Sequence, residues 1–325
     1  MIELNTVKGK FYIRPYKRGD EHKIIKLFYE VFGQKKSMDL WKWEFLKNPY
    51  GRQIMLCEHE SGQIISQCAG LVVPIFFDGK IHLGAQLVDC MNKKKYRAFA
   101  VKKKGLFALT VQTFFDEFTG KDKDIYLFGF PGERHYRLGK IWLGYRKIRP
   151  IDEIKINNIQ KNFRSYFFSI DRLNQQDLEN KENIIYKLAL KDVTLLKLSV
   201  FRESKYLIWR YIESPREYKI YCLKNIFGKI KCVFVVSENR DVINLIDIIG
   251  LNFLKQAIIY LSSMYRGKTV RLWLPKNCPF CMEFKNFSSP SSIPVIPVGR
   301  SFWEGLNWDW ANKNFFYTMG DCDLF

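Results

Sequence analysis

The sequence predicts an α/β (α+β) fold of two tandem units. Each is a mixed, mostly antiparallel sheet with a central parallel β-α-β unit flanked by helices. Three observations predict it. Apolar runs at Ile54–Glu58, Ile64–Phe76 and Ile81–Met91 follow one another, separated by the hairpin signals Glu60-Ser61-Gly62-Gln63 and Asp78-Gly79. A helix-like stretch, Leu106–Phe118, then leads to another apolar run, Ile125–Phe128, in the order of a parallel crossover. The same order recurs later: strand-like runs at Tyr218–Leu223, Ile230–Val236 and Val242–Ile249, a helix at Phe253–Tyr265, and a strand at Val270–Leu274.

The remaining elements follow in order. Lys10–Arg14 reads as a short strand ended by Pro15. Asp20 is placed to cap a helix over Glu21–Phe32, with Ile24, Ile25, Phe28, Val31 and Phe32 on one face and Gly33 as its stop. Ser37 caps a second short helix carrying Leu40, Trp41, Trp43 and Phe45, and Asn48-Pro49-Tyr50-Gly51 is a turn. Gly129-Phe130-Pro131-Gly132 leads into a helix from Glu133 to Leu143, ended by Gly144. Val193–Phe201 is expected as a strand, and Ser204–Ile212 carries Trp209-Arg210-Tyr211 before Ser214-Pro215, an echo of Trp43 and Asn48-Pro49. The aromatic tail, Trp303–Phe325, is expected to pack as a final strand or hairpin. The expected division is 1–150, a connecting segment 151–192, and 193–325.

Composition narrows the function. The chain has 325 residues, 47% hydrophobic and 26% charged, which fits a folded protein rather than a disordered one. Its formal net charge of +20 implies a polyanionic partner: a phosphorylated cofactor, a nucleic acid or an anionic membrane surface. No zinc-finger spacing and no heptad with a basic region is present, so nucleic acid is not the favoured partner. The eight cysteines include one close pair, Cys278-Pro279-Phe280-Cys281, a spacing open to redox chemistry, half a metal site or plain thiols. No second pair and no His cluster joins it, so no metal is expected. Met1–Arg18 lacks a signal-peptide pattern, and no apolar run reaches the ~18 residues of a membrane span, so a cytoplasmic location is expected.

The densest charge lies at one place. Seven of the thirteen residues from Asn92 to Lys104 are Lys or Arg, and Gly105 ends the run just before the Leu106 helix. Strand, basic loop, glycine and helix make a phosphate seat, because the first amides of a helix lack intrahelical acceptors and the dipole favours an anion there. The competing reading is a solvated surface loop.

With these pieces placed, the chain resembles the GNAT acyltransferase superfamily, and within it the bacterial tandem-GNAT proteins. The resemblance rests on Ile13-Arg14-Pro15-Tyr16, Trp41-Lys42-Trp43 to Asn48-Pro49, Val88-Asp89-Cys90-Met91 and Lys104-Gly105-Leu106-Phe107. It continues with Gly129-Phe130-Pro131, Leu143-Gly144-Tyr145, Trp209-Arg210-Tyr211 and Gly320-Asp321-Cys322-Asp323. It implies a CoA-dependent N-acyltransferase holding acetyl-CoA or another acyl-CoA in the first unit. The strand at Val88, Cys90 and Met91 would pair with the pantetheine arm. Lys102, Lys103, Lys104, Gly105, Leu106 and Phe107 would hold the pyrophosphate, and Phe130 and Pro131 would border the arm. Phe107 stands where the superfamily has a small residue, and Gly132 where it has Asn. The second unit, with the short uncharged Gly250-Leu251-Asn252, is expected to bind no CoA.

Acyl transfer to an amine needs a base for the ammonium proton, donors for the oxyanion and an acid for the leaving thiolate. Asp89 and Glu133 are the candidate bases, with His135 a further option, and Tyr136 is the candidate acid. The acceptor would be an amine of a small molecule, sugar or peptide. Two alternatives stand beside this reading: a non-catalytic protein whose basic face binds nucleic acid or a protein partner, and a transferase using aminoacyl-tRNA.

Overall fold

The computed structural model describes residues 1–97, 100–101, 104–157 and 167–325. Its chain divides into two compact units. The first comprises Met1–Val73, His82–Arg146 and Val298–Trp308. The second comprises Pro74–Ile81, Lys147–Pro297 and Asp309–Phe325.

The first stretch of chain builds β1 (Ile2–Thr6), β2 (Gly9–Pro15), α1 (Glu21–Phe32), α2 (Met38–Phe45), β3 (Gln53–His59), β4 (Ile64–Phe77) and β5 (Lys80–Asn92). Next come β6 (Ala100–Val101), β7 (Lys104–Gly105), α3 (Leu106–Phe118), β8 (Asp124–Gly129), α4 (Glu133–Trp142) and β9 (Arg146–Lys147). The polar start of the chain gave no sign of β1. Asp78 (φ 49) and Gly79 (φ 75) make the left-handed hairpin turn that Asp-Gly favours. Ser37 caps α2 through its Oγ, which accepts from Leu40 N at 3.1 Å. Asp20 sits at the start of α1 without capping it. Its carboxylate instead accepts two bonds from Arg14, at 2.7 and 2.9 Å, because a buried guanidinium outcompetes an exposed amide for it. The buried face of α1 is narrower than expected: Ile24 and Leu27 are buried, while Phe32 is exposed.

The rest of the chain forms β10 (Ile151–Ile156), β11 (Phe168–Leu173), α5 (Gln175–Asn180), α6 (Glu182–Leu196), β12 (Leu198–Val200) and α7 (Ser204–Leu207). The last of these runs into a π-turn at Ile208–Ile212. Then follow β13 (Lys219–Asn225), β14 (Ile230–Glu238), β15 (Val242–Ile249), α8 (Leu254–Met264), β16 (Thr269–Pro275), β17 (Ser288–Pro290), β18 (Val298–Ser301) and α9 (Trp308–Asn314). Two expectations are corrected here. Val193–Leu196 is helix, because Ile185, Ala189, Val193 and Leu196 bury one helical face; only β12 is strand, after left-handed Lys197 (φ 68). The tail is neither strand nor hairpin. It is α9 followed by a short helical turn at Met319–Asp321, because its polar groups are bound by arginines rather than by a ladder. Arg210 donates to Gly320 O at 2.9 Å, and Arg202, Asp247 and Asp321 form a buried ion cluster.

Both units share one strand plan. In the first the order is β1-β2-β3-β4-β5-β8-β18; β1, β2, β3 and β4 pair antiparallel, β5 and β8 are parallel, and β18 pairs antiparallel with β8. In the second the order is β11-β13-β14-β15-β16-β10-β17, with β15 and β16 parallel and β10 antiparallel to β16. The mixed, tandem α/β architecture read from the sequence is therefore present. α3 covers the first sheet with Leu106, Val111, Phe114 and Phe115. Gly70 makes room for it, since a Cβ there would stand 3.1 Å from the Phe114 ring. In the second unit Leu223, Phe234, Leu245, Ile258 and Leu272 share one core.

One buried carboxyl couples this packing to pH. Asp124, at the start of β8, is buried, and both its oxygens lack a well-formed hydrogen bond. Burial pushes its pKa up to about 7, with Gln53 beside it pulling only partway back. In the unfolded chain an aspartate titrates near 3.9. Between those values the native state holds a proton that the unfolded state has lost. Its contribution to stability is therefore complete below pH ~4 and lost as pH rises to about 7, a change of roughly 4 kcal/mol. Urea unfolding of Asp124→Asn and wild type across pH 4–8 is expected to show the variant gaining on wild type by that order. A constant difference across this range would show that Asp124 is ionised in the native state.

Candidate functional site

The first unit contains one place where its sheet opens. β5 and β8 pair in parallel from Leu83↔Asp124 to Gln86↔Phe128, and no further pair joins them among the described residues. Beyond that point β5 stays with β4: Gln67 Nε2 donates to Asp89 O at 3.2 Å and Ser66 Oγ to Met91 O at 3.2 Å. β8 meanwhile stays with β18 through Val298↔Gly129. Leu87–Met91 thus runs along the opening with one side of its backbone unmatched by a strand. Buried backbone groups require partners, so this edge suits an extended ligand bearing amides.

The unmatched stretch contains an unusual backbone conformation. Asp89 sits at φ 48, a left-handed conformation rare for a non-glycine residue and rarer still inside a strand. Its carboxylate bonds to Lys36 Nζ, which also contacts Glu44. Lys36 is buried, and its two carboxylate neighbours outweigh the burial and hold its pKa well above the ordinary lysine value. The Phe28 and Phe45 rings stand 5.1 and 5.7 Å from its ammonium.

A small cavity lies against the opening, lined by Leu87, Phe115, Phe128, Tyr145, Gly299 and Arg300, among others. Tyr145 is buried, and burial, with Cys90 and Cys68 adding to it, drives its hydroxyl well above the usual phenol range. Gly139 of α4 lies so close to this ring that a Cβ would stand 2.2 Å from it. Arg300 donates to Leu143 O at 2.6 Å and lies over the Phe115 and Phe302 rings at 4.8 and 4.5 Å. His135 stacks on Tyr145, with ring centroids 6.0 Å apart, and meets Phe107 edge-on at 6.2 Å. Its Nε2 is buried without a hydrogen-bond partner, and burial lowers its pKa, favouring the neutral ring.

The residues singled out from the sequence are distributed around this opening. Val88, Cys90 and Met91 lie on the diverging part of β5, Val88 and Met91 buried and Cys90 half-buried. Phe130 and Pro131 follow β8, with Phe130 buried. Leu106 opens α3 and is buried, and Phe107 reaches His135. Lys104 and Gly105 form β7, which pairs antiparallel with β6. Lys102 and Lys103 lie outside the described residues. Glu133 is exposed and pairs with Arg137 at 2.8 Å, while Tyr136 is half-buried on α4. Sequence reading named Tyr145 only within the Leu143-Gly144-Tyr145 match and gave it no role. Lys36 and Arg300 carried no signal, being distant in the chain from what they touch.

This layout has known counterparts. A probable N-acyltransferase from Enterococcus faecalis V583 superposes with a TM-score of 0.67 at 12% identity, covering 90% of this chain and 73% of that one. A GCN5-related N-acetyltransferase from Anabaena variabilis gives 0.65 at 14% identity, with coverage of 90% and 73%. The fold is that of the GCN5-related N-acetyltransferases. Saccharomyces cerevisiae N-myristoyltransferase, solved with bound myristoyl-CoA, shares this GNAT-like arrangement at a TM-score of 0.56 and 10% identity, covering 95% of this chain and 87% of that one. No protein-family model matches the chain, and no curated protein matches it in sequence. At such identities the likeness establishes the GNAT fold alone.

The Lys36 cluster generates a direct expectation. Lys36→Met would strand Asp89 and Glu44 as buried like charges and is expected to destabilise the protein by about 3–5 kcal/mol near neutral pH. Adding Glu44→Gln should recover part of that loss. Equal stability of Lys36→Met and wild type in urea would show that the cluster does not hold Asp89 in its left-handed conformation.

Proposed function

We propose that this chain is an acyl-CoA-dependent N-acyltransferase that moves an acetyl or other acyl group to an amine. The observation that carries this reading is the opening between β5 and β8, whose unmatched Leu87–Met91 edge fits the two amides of a pantetheine arm. The fold supports it, as does the myristoyl-CoA held by the yeast enzyme of like fold. Lys102, Lys103 and Lys104, with the amides at Gly105, Leu106 and Phe107, would hold the pyrophosphate at the start of α3. An acyl-CoA seated there supplies an activated thioester carbonyl. The protein's tasks are to orient the amine, take its proton and exclude water.

For the proton, the surroundings favour His135. It is half-buried, burial favours its neutral form, its Nε2 has no hydrogen-bond partner, and its ring stacks on Tyr145 of the cavity lining. Asp89 is committed to Lys36, a supporting role rather than that of a base. Glu133 is the second candidate, since a surface ion pair with Arg137 binds it only weakly. Tyr136 is the candidate acid.

The second unit is proposed to take no CoA. At the start of its crossover helix the amides of Gly250 and Leu251 already donate to the Asp192 carboxylate, at 2.6 and 3.1 Å. A side chain of the protein thus fills the seat that a phosphate would need. The basic loop of the first unit has no counterpart there, as Gly250-Leu251-Asn252 is uncharged.

Calorimetric titration with CoA is expected to give one site per chain, and acetyl-CoA to raise the melting temperature. Changing Lys102, Lys103 and Lys104 together to Ala should weaken CoA binding by roughly tenfold or more. With a panel of amines and detection of released CoA thiol, His135→Asn should lower turnover far more than Glu133→Gln. If CoA neither binds nor stabilises the protein, while RNA binds with a steep salt dependence, the acyltransferase reading fails and a nucleic-acid function replaces it.

A further inference from the structure

The Cys278-Pro279-Phe280-Cys281 turn takes no part in acyl transfer as proposed. It follows β16 in the second unit. Left-handed Asn277 (φ 61) turns the chain. Cys278 N–H then donates to Pro275 O at 3.0 Å, and Cys281 N–H to Cys278 O at 3.1 Å. These bonds bring the two sulfurs to 2.7 Å, inside the roughly 3.5–4.0 Å of ordinary non-bonded contact. Both residues are buried, at 1% and 8% exposure.

The two thiols are not equivalent. The single S–H of Cys281 is shared between Pro275 O at 3.2 Å and Cys278 Sγ at 2.7 Å. Cys278 accepts from Cys281 and lies within electrostatic reach of Arg149, and both favour its thiolate. The Arg149 guanidinium is anchored by Nη2, which donates to Phe315 O at 3.1 Å and Asn314 O at 3.3 Å. Its Nε is buried with no acceptor, an N–H left for an anion. The turn therefore holds an acidified sulfur, a cation beside it and a protonated partner sulfur at contact distance.

We propose that Cys278 and Cys281 form a redox-active dithiol, a modification site that a small peroxide converts into an intramolecular disulfide. The Cys278 thiolate attacks one peroxide oxygen. The O–O bond breaks, and the other oxygen leaves as hydroxide and is protonated to water. Cys278 is then a sulfenic acid. The Cys281 sulfur displaces its hydroxyl, the S–S bond forms, and the departing hydroxyl takes up the Cys281 proton as a second water. The two thiols together lose two electrons, and the peroxide is reduced to water. Burial at 1% and 8% exposure disfavours a bulky disulfide such as oxidised glutathione as the oxidant and leaves a small peroxide. A dithiol reductant reverses the step after local opening.

The structure also contains its own control. Cys68 and Cys90 lie 3.7 Å apart, farther than the 2.7 Å between Cys278 and Cys281, with Cys68 buried and Cys90 half-buried. Full-length protein is treated with low hydrogen peroxide, and its thiols are counted and mapped by mass spectrometry. Two thiols should disappear with loss of two hydrogens' mass, the bond should map to Cys278 and Cys281, and dithiothreitol should restore both. Cys281→Ser should leave a sulfenic acid at Cys278 that a dimedone probe captures. No loss at this pair, earlier oxidation of Cys68 and Cys90, or sulfinate at Cys278 without a disulfide would overturn the proposal. The mapping uses wild-type protein, so it stands whether or not a serine variant folds.

Discussion

The first unit depends on a strained residue held by charge. Asp89 adopts φ 48 within β5, a conformation that costs an L-residue of the order of 1–3 kcal/mol. Something must hold it there, and the ion pair with Lys36, itself paired with Glu44, ties its side chain down. Around this residue β5 keeps its bonds to β4, having left β8 after Gln86. The strained residue thus borders a gap in a sheet, which is where a ligand that mimics a strand can enter.

The second unit repeats the strand plan and shows what the same architecture does when it is sealed. Its parallel pair, β15 and β16, also separates early, after Asn244↔Arg271. There the helix amides meet Asp192, whose carboxyl is pushed up to about 6 by burial and drawn back by Gly250 and Leu251. The Arg202–Asp247–Asp321 cluster then ties the tail to the sheet. A buried charge cluster of this kind adds little net stability over an apolar core, yet each member is costly to remove once the others are in place. It fixes where the tail goes rather than how strongly the unit folds.

Much of this was legible in the sequence because it is local. Hairpins announce themselves through Asp78-Gly79, and helix stops through Gly33 and Gly144, because φ near +70 favours glycine. The crossover could be read from apolar runs alone. The tail misled because aromatic content reports burial and not backbone form: Phe315, Phe316 and Tyr317 are buried, yet they follow a helix. The candidate site was legible in part. Val88, Cys90, Met91 and Phe130 sit on segments whose order the resemblance implied. Lys36 and Arg300 could not be found, because their meaning lies in partners far along the chain, Asp89 for one and Leu143 for the other.

The same distance argument explains the most consequential feature that local reading misses. Each sheet is completed by a strand from the other half of the sequence. β18, near the end, pairs with β8 in the first unit, and β10, at the midpoint, pairs with β16 in the second. β8 would otherwise present an unpaired edge at Gly129, at the mouth of the opening, and an exposed parallel edge invites wrong pairing. Arg300 enters the cavity lining only because β18 carries it there. The first half of the chain therefore contains the whole basic loop and Asp89, but not the complete lining of the cavity. A protein built this way can change its cavity through residues near position 300 while leaving Asp89 and the loop before α3 untouched.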